Sequence, residues 1–283
     1  MNGKSNEGQI KFWNEGPGSK WVKHQVGLDA CFAKVSEHLL SKCSFQSNME
    51  VVDIGCGAGA TCFDLVGVNE EEINVTGVDV SKPLIEHARG RLEKSGLTGI
   101  SFKLMDVQND QFPRQQYDLM VSRFGCMFFT NPVKAFKNIA QSIKPGGAMH
   151  FACWSTLDSN PWFSIPKSVA EARLGEGAPS APREPGPMVF ADHDYLGTIL
   201  TEAGLSQFSL SNEKVIISTS YTIEEMALLA SSLGPAVRLL NEKGGSEDDR
   251  KAIEEGVVDG FEQYKSSNGI EVPATIVFVS VLI

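Results

Sequence analysis

The chain has 283 residues, 42% of them hydrophobic, with a net charge of -10 at pH 7. This is enough apolar chain for one enlarged domain or a domain with a cap. The acidic balance argues against nucleic acid or an anionic membrane as the main partner, and there is no apolar run of the ~18 residues that would mark a bilayer span.

The opening residues are polar and lack the apolar middle of a secretory leader, so the expected location is cytoplasmic. Gly16, Pro17 and Gly18 mark a turn. From about 19 to 40, Trp21, Gln25, Leu28, Phe32, Val35 and Leu39 recur at three- and four-residue steps, which predicts a helix. Residues 1–48 therefore read as a helical arm whose spare tryptophans, Trp13 and Trp21, either cover a pocket or anchor the arm to the core. From 49 to 154, strand and helix alternate, the pattern of a parallel sheet with helices on both faces. Strands are expected at 50–54, 74–79, 100–105, 117–122 and 148–154. Helices are expected at 59–67, 81–95 and 131–143, the last closed by Lys144, Pro145, Gly146 and Gly147.

Residues 155–191 hold six prolines and read as a substrate loop, with a helix allowed at 164–174. A helix to Ala203, a strand at 208–218, and helices at 222–240 and 246–265 follow. The closing run 273–283, PATIVFVSVLI, is the strongest strand in the chain. The expected division is an arm at 1–48, a core at 49–221 and 266–283, and a helical insertion at 222–265.

The chemistry centres on 49–60, MEVVDIGCGAGA. A short apolar strand ends in Asp53, glycines follow at 55, 57 and 59, and a helix begins. Glycine lets the chain turn sharply and lets a ligand approach without meeting a Cβ, and the free N–H groups of a helix start favour an anionic group. Gly55, Gly57 and Ala60 also fit the dinucleotide fingerprint, with Asp79 as the distal acid. Asp53 discriminates: a carboxylate before the glycines would repel a pyrophosphate, yet it suits a ligand with an ammonium and a sulfonium, as S-adenosylmethionine (SAM) has. The six cysteines, Cys31, Cys43, Cys56, Cys62, Cys126 and Cys153, form no C-x-x-C pair. They are expected to be buried thiols, and no metal site is expected.

DIGCGAG at 53–59, VTGVD at 75–79, LMDV at 104–107, YDLMVS at 117–122 and KPGG at 144–147 stand in order. Together they resemble the motifs of class I SAM-dependent methyltransferases, most closely the small-molecule branch with quinone- and sterol-type enzymes. The resemblance implies a Rossmann-like α/β fold: a seven-stranded, mostly parallel sheet with helices on both faces. Its last strand, here 273–283, would run antiparallel between the fifth and sixth strands, with the helical arm and insertion as a cap. It also implies SAM as cofactor and transfer of its methyl group to a small-molecule acceptor by in-line displacement. By position, Gly55, Gly57 and Gly59 would let the backbone pass the methionyl part and Asp53 would orient it. Asp79, with Val80 beside it, would take the ribose hydroxyls. Asp106 and Val107 would take the adenine, and Ser122 and Arg123 would line the floor near the methyl group.

His24 is the candidate base, ahead of His150 and His193, with Asp29 behind them. Trp13, Trp21, Phe124, Phe128, Trp154 and Trp162 are the candidate walls for an acceptor. A nicotinamide or flavin oxidoreductase and a non-catalytic SAM-binding protein are the alternatives. A monomer or homodimer without membrane insertion is expected, and the acceptor atom and pathway are not legible.

Overall fold

The computed structural model describes residues 5–68, 71–179, 181, 183–219, 221–267 and 269–283. Pro182, one of the six prolines of the 155–191 stretch, lies outside them, as do residues 1–4 of the arm.

The arm consists of α1 (Glu7–Glu15), α2 (Pro17–Lys23), α3 (Gln25–Cys31) and α4 (Ala33–Leu40). The single helix expected over 19–40 is thus three pieces. The backbone leaves helical geometry at His24 (φ -104°, ψ 13°) and Phe32 (φ -100°, ψ 8°). The four-residue ladder continues through both bends, from the His24 N–H to the Lys20 carbonyl and from the Phe32 N–H to the Leu28 carbonyl, each 3.0 Å. The arm is therefore one rod bent twice, and the bends let its apolar stripe, Leu28, Cys31, Phe32, Val35 and Leu39, stay buried along a curved surface.

The core alternates as expected: β1 (Glu50–Ile54), α5 (Ala60–Val68), β2 (Asn74–Asp79), α6 (Lys82–Ser95), β3 (Ile100–Leu104), β4 (Tyr117–Arg123), α7 (Pro132–Ser142) and β5 (Ile143–Trp154). Then come α8 (Pro161–Leu174), α9 (His193–Glu202), β6 (Gln207–Thr219), α10 (Ile223–Ser232), α11 (Pro235–Glu242), α12 (Glu247–Phe261), the short β7 (Lys265–Ser266) and β8 (Gly269–Leu282). The strand order is β3-β2-β1-β4-β5-β8-β6, with β7 paired to β8 outside this path. The strand β8 runs antiparallel between β5 and β6, the place expected for the terminal strand. Val51 and Val52, neighbours on β1, belong to separate buried clusters, so the sheet is covered on both faces.

Three local expectations are corrected. KPGG does not close α7 as a loop but lies inside β5, where the pairing of Tyr117 with Ile143 shifts register before Leu119 meets Ala148. Within 155–191, Pro161 opens α8 at its first turn, and Asn160 ties the start to β8 by accepting from the Thr275 N–H at 3.0 Å. The helix expected over 222–240 is broken at Gly234 (φ 71°), just before Pro235 opens α11. Pro273 falls within β8 because β5 pairs only with Ile276–Leu282, so the missing N–H faces no partner strand.

The sheet order reverses between β1 and β4, so the chain leaves these two neighbours in opposite directions. In open α/β sheets the crevice at that point, beyond the carboxyl ends of the strands, receives ligands.

Candidate cofactor and acceptor site

The turn after β1 is built by glycine. Gly55 has φ 67°, and a Cβ there would lie 2.6 Å from the Gly125 Cα. The β1 and β4 ends therefore approach backbone to backbone. Gly57 (φ 55°) has open space where a Cβ would go, whereas a Cβ on Gly59 (φ 87°) would meet the Phe102 ring at 2.6 Å. Gly55 and Gly59 are thus required by packing, and Gly57 faces open space.

A cavity opens beside this turn. It is lined by Gly55–Ala58, by Ala60 and Thr61 at the start of α5, by Arg123 and Phe124, and by Trp21, Gln25, Leu28 and Asp29 of the arm. Asp53 is 1% exposed, and its Oδ1 is buried with no hydrogen-bond partner among the described residues. Its Oδ2 accepts from the Cys62 thiol at 3.3 Å. Burial pushes the Asp53 carboxyl up to about 7, against the Cys62 bond and the Arg123 charge. A buried acceptor without a donor is rare and is met by water, an ion or a ligand group. The ammonium of SAM fits it, and the first amides of α5 suit the carboxylate of the same amino acid end.

The residues expected to take the ribose and adenine meet the arm, through Asn14 on Val80 and Asn6 on Asp106. Asp79 accepts from the Gly57 N–H at 2.9 Å and the Ser81 N–H at 2.8 Å. Burial raises its pKa, opposed by those bonds. Asp106 accepts from the Asn6 amide at 2.8 Å, the Gln108 N–H at 3.0 Å and the Asn109 amide at 2.7 Å. Val80 offers its carbonyl to the Asn14 amide at 2.9 Å, and Val107 its own to Asn138 at 2.7 Å. Ser122 is fully buried and donates to the Ile54 carbonyl at 2.6 Å, so its hydroxyl ties β4 to β1. None of these residues lines the cavity.

Of the expected acceptor walls, Trp21 and Phe124 line the cavity. Phe124 takes φ 67°, unusual for a bulky residue. It is held there by its N–H on the Ala152 carbonyl at 2.9 Å and by stacking on Trp154 at 4.5 Å. Trp154 and Trp162 are themselves 2% and 1% exposed, so they are core residues behind the wall, since the expected loop folds into α8 against the sheet. Trp13 and Phe128 meet edge to face at 5.0 Å and do not line the cavity, although Trp13 packs on Trp21, which does.

His24 does not line the cavity; burial and the charges of Lys23 and Lys20 lower its pKa. Its neighbours Gln25 and Asp29 do line it. Asp29 Oδ2 accepts from the Gln25 amide and pairs with Arg91 at 2.9 Å, while Arg91 also donates to the Ala58 carbonyl at 2.6 Å. Arg91 thus joins the arm to the glycine turn. Gln25 and Leu28 stood on the helical stripe of the sequence, but nothing there singled them out for a ligand. Arg123 donates to the Ser36 hydroxyl at 2.9 Å and caps the same wall. His150 shares a hydrogen bond with Ser280 at 2.9 Å inside the sheet and does not line the cavity.

A glycine turn at the switch point of a doubly wound sheet, with acids at the ends of β1 and β2, defines a Rossmann-type cofactor-binding protein. Residues 45–204, more than half of the chain, match the family model described as a methyltransferase domain, and the chain belongs to that family. Among curated relatives, the aklanonic acid methyltransferase of Streptomyces sp. (strain C5) is 33% identical over 101 residues, 36% of this chain and 46% of that protein. The phosphatidylethanolamine N-methyltransferase of Cereibacter sphaeroides is 25% identical over 156 residues, 54% of this chain and 75% of that protein. Several curated relatives are thus matched over less than half of their own length. Among solved structures, the YcgJ protein of Bacillus subtilis superposes with a TM-score of 0.54 at 14% identity, over 87% of this chain and 97% of that one. The phosphoethanolamine N-methyltransferase 2 of Haemonchus contortus, solved with phosphomonomethylethanolamine and S-adenosylhomocysteine, gives 0.54 at 16% identity, over 88% of this chain and 52% of that one. These two likenesses concern the fold.

Proposed function

We propose that the chain binds SAM at the carboxyl edge of the sheet and transfers its methyl group to a small-molecule acceptor. The observation that carries this reading is the buried, unpartnered Asp53 Oδ1 just before the glycine turn, whose residues line the cavity. A cationic amino group completes that acceptor, whereas a pyrophosphate would face like charge. The structures of relatives bound to S-adenosylhomocysteine or SAM support the same cofactor.

When bound, SAM supplies a methyl group on a sulfonium leaving group. The chain's own contribution is then placement, since the displacement needs acceptor, carbon and sulfur in line. Asp53 and the start of α5 hold the amino acid end. Trp21, Leu28 and Phe124 form an apolar, partly aromatic wall for the acceptor. Asp29 is the titratable group that faces this space from the arm, and it is placed to take a hydrogen bond from an acceptor O–H or N–H. His24, the base expected from sequence, lies one residue from the wall. His24→Ala is therefore expected to keep turnover within about twofold, and Asp29→Ala to lower kcat/KM by at least about tenfold, the worth of one charge-assisted hydrogen bond. Turnover of labelled SAM with a panel of hydroxylated aromatics and amines checks both. The acceptors named for the relatives range from a polyketide acid to amines, so they do not choose among these classes. A cytoplasmic monomer or homodimer without a nucleic-acid partner accompanies the proposal. Among the described residues, no helix is long and apolar enough to cross a membrane.

The Asp53 carboxyl supplies the test. At about 7 in the free protein it is mostly protonated at pH 6 and must ionise to receive an ammonium. Titration with S-adenosylhomocysteine in buffers of different ionisation enthalpy is expected to show release of nearly one proton at pH 6 and almost none at pH 8.5. No pH dependence of proton release would contradict the role of Asp53. The same shift carries a stability sign. A carboxyl raised on folding contributes stability that is complete below its unfolded value near 4 and is lost as pH rises through about 7.

A further inference from the structure

Helix α1 is held unlike the rest of the arm. None of its nine residues is buried, and Phe12 is 51% exposed. Its last turn packs Trp13 edge to face on Phe128 at 5.0 Å and beside Trp21, and its polar hold lies at its two ends. At the start, Asn6 is 3% exposed and makes no capping bond to its own helix, although asparagine favours that role. Its amide instead donates to Asp106 Oδ1 at 2.8 Å, and its carbonyl oxygen accepts from the Thr130 hydroxyl at 3.0 Å. At the far end, the Asn14 amide donates to the Val80 carbonyl at 2.9 Å. The Lys82 N–H donates to the Asn14 carbonyl oxygen at 2.9 Å, and the Ser81 hydroxyl to the Trp13 carbonyl at 3.1 Å. Both ends therefore land on the segments that follow β2 and β3, where the adenosine is proposed to bind.

Two further observations bear on how firmly α1 is seated. Gln9 Oε1 is buried without a partner among the described residues, which weakens the closed position. The last turn of α1 is seated on α2, since a Cβ on Gly18 would meet the Trp13 carbonyl and the Ser81 hydroxyl, so the more weakly held part of α1 is its start.

We propose that α1 is a latch over the adenine subsite, in which the Asn6 amide occupies the Asp106 oxygen that the exocyclic amino group of the cofactor takes. The inference rests on the cofactor reading above. A carboxylate oxygen accommodates about two donors, and Asp106 Oδ1 already accepts from Asn6 and from the Gln108 N–H. The cofactor enters by exchanging its amino group for Asn6, with the start of α1 lifting from Asp106 while its last turn stays packed on α2. Asn6 is thus a residue that sets cofactor affinity through Asp106.

The test is calorimetric titration of the full chain with S-adenosylhomocysteine, for the wild type, Asn6→Ala and Thr130→Val. The second variant loosens the same latch from the other side, should the first fold poorly. The expected result is a Kd lowered about fivefold in both, the equivalent of one net buried hydrogen bond, together with a slightly lower melting temperature without ligand. A merely structural Asn6 would lower the melting temperature without tightening binding. An unchanged or raised Kd in variants of a wild type that binds overturns the latch alone. Absence of binding in all three proteins overturns the cofactor reading and the latch with it.

Discussion

Asp79→Ala is expected to raise the Kd for S-adenosylhomocysteine by at least about 100-fold. The carboxylate closes β2 and is held by the Gly57 and Ser81 N–H groups, so it is already aimed across the glycine turn. In that position its remaining lone pairs face the place proposed for the ribose diol. Two charge-assisted hydrogen bonds are worth about 1.5–3 kcal/mol each, and about 1.4 kcal/mol is tenfold in affinity. The loss is compounded because two backbone N–H groups of the turn lose their acceptor. Asp79→Asn keeps one acceptor oxygen and is expected to fall between the two. Calorimetry with S-adenosylhomocysteine reads both, and unchanged affinity in Asp79→Ala would remove the ribose role from this residue.

Gly55→Ala is expected to destabilise the fold strongly, and Gly57→Ala to weaken ligand binding with a smaller loss of stability. A side chain at Gly55 suffers twice. The positive φ costs about 1–2 kcal/mol for a residue with a Cβ, and the new carbon would lie 2.6 Å from the Gly125 Cα, a backbone atom that cannot rotate away. Gly125 is itself confined, since a Cβ there would lie 2.4 Å from the Ile54 carbonyl oxygen. Overpacking adds about 1–3 kcal/mol, so the melting temperature is expected to fall by roughly 10 °C. Gly57 bears the same backbone cost without the clash, and its Cβ would project into open space where the turn approaches the ligand. Thermal unfolding and S-adenosylhomocysteine affinity, measured on both variants, separate packing from ligand approach. Equal effects of the two substitutions on both readouts would contradict this division.

The sheet was legible because each parallel strand is an apolar run ended by an acid, a glycine or a polar turn. The terminal strand was recognisable as a strand by its near-continuous hydrophobicity, and its antiparallel place came from the family resemblance, which that hydrophobicity suits. Local breaks were harder to see. The bends at His24 and Phe32 preserve the helical spacing of the buried stripe, so the period alone cannot show them. KPGG carries the residues of a helix stop, yet the pairing of Ile143 with Tyr117 draws it into β5. The candidate walls show the limit of reading aromatics by type. Phe124 faces the cavity and Trp154 stacks behind it, a distinction made by strand register and the folding of α8, not by composition. Asn6 was invisible for the opposite reason, because a polar residue in a polar opening segment carries no period, and only tertiary contact turns it inward.

The measurement that tests the central claim most directly is calorimetric titration of the purified chain with S-adenosylhomocysteine beside NADH. The account predicts micromolar binding of the former and none of the latter, because Asp53 receives an ammonium and rejects a pyrophosphate. Binding of NADH alone would contradict it and turn Asp79 into the ribose acid of a dinucleotide site.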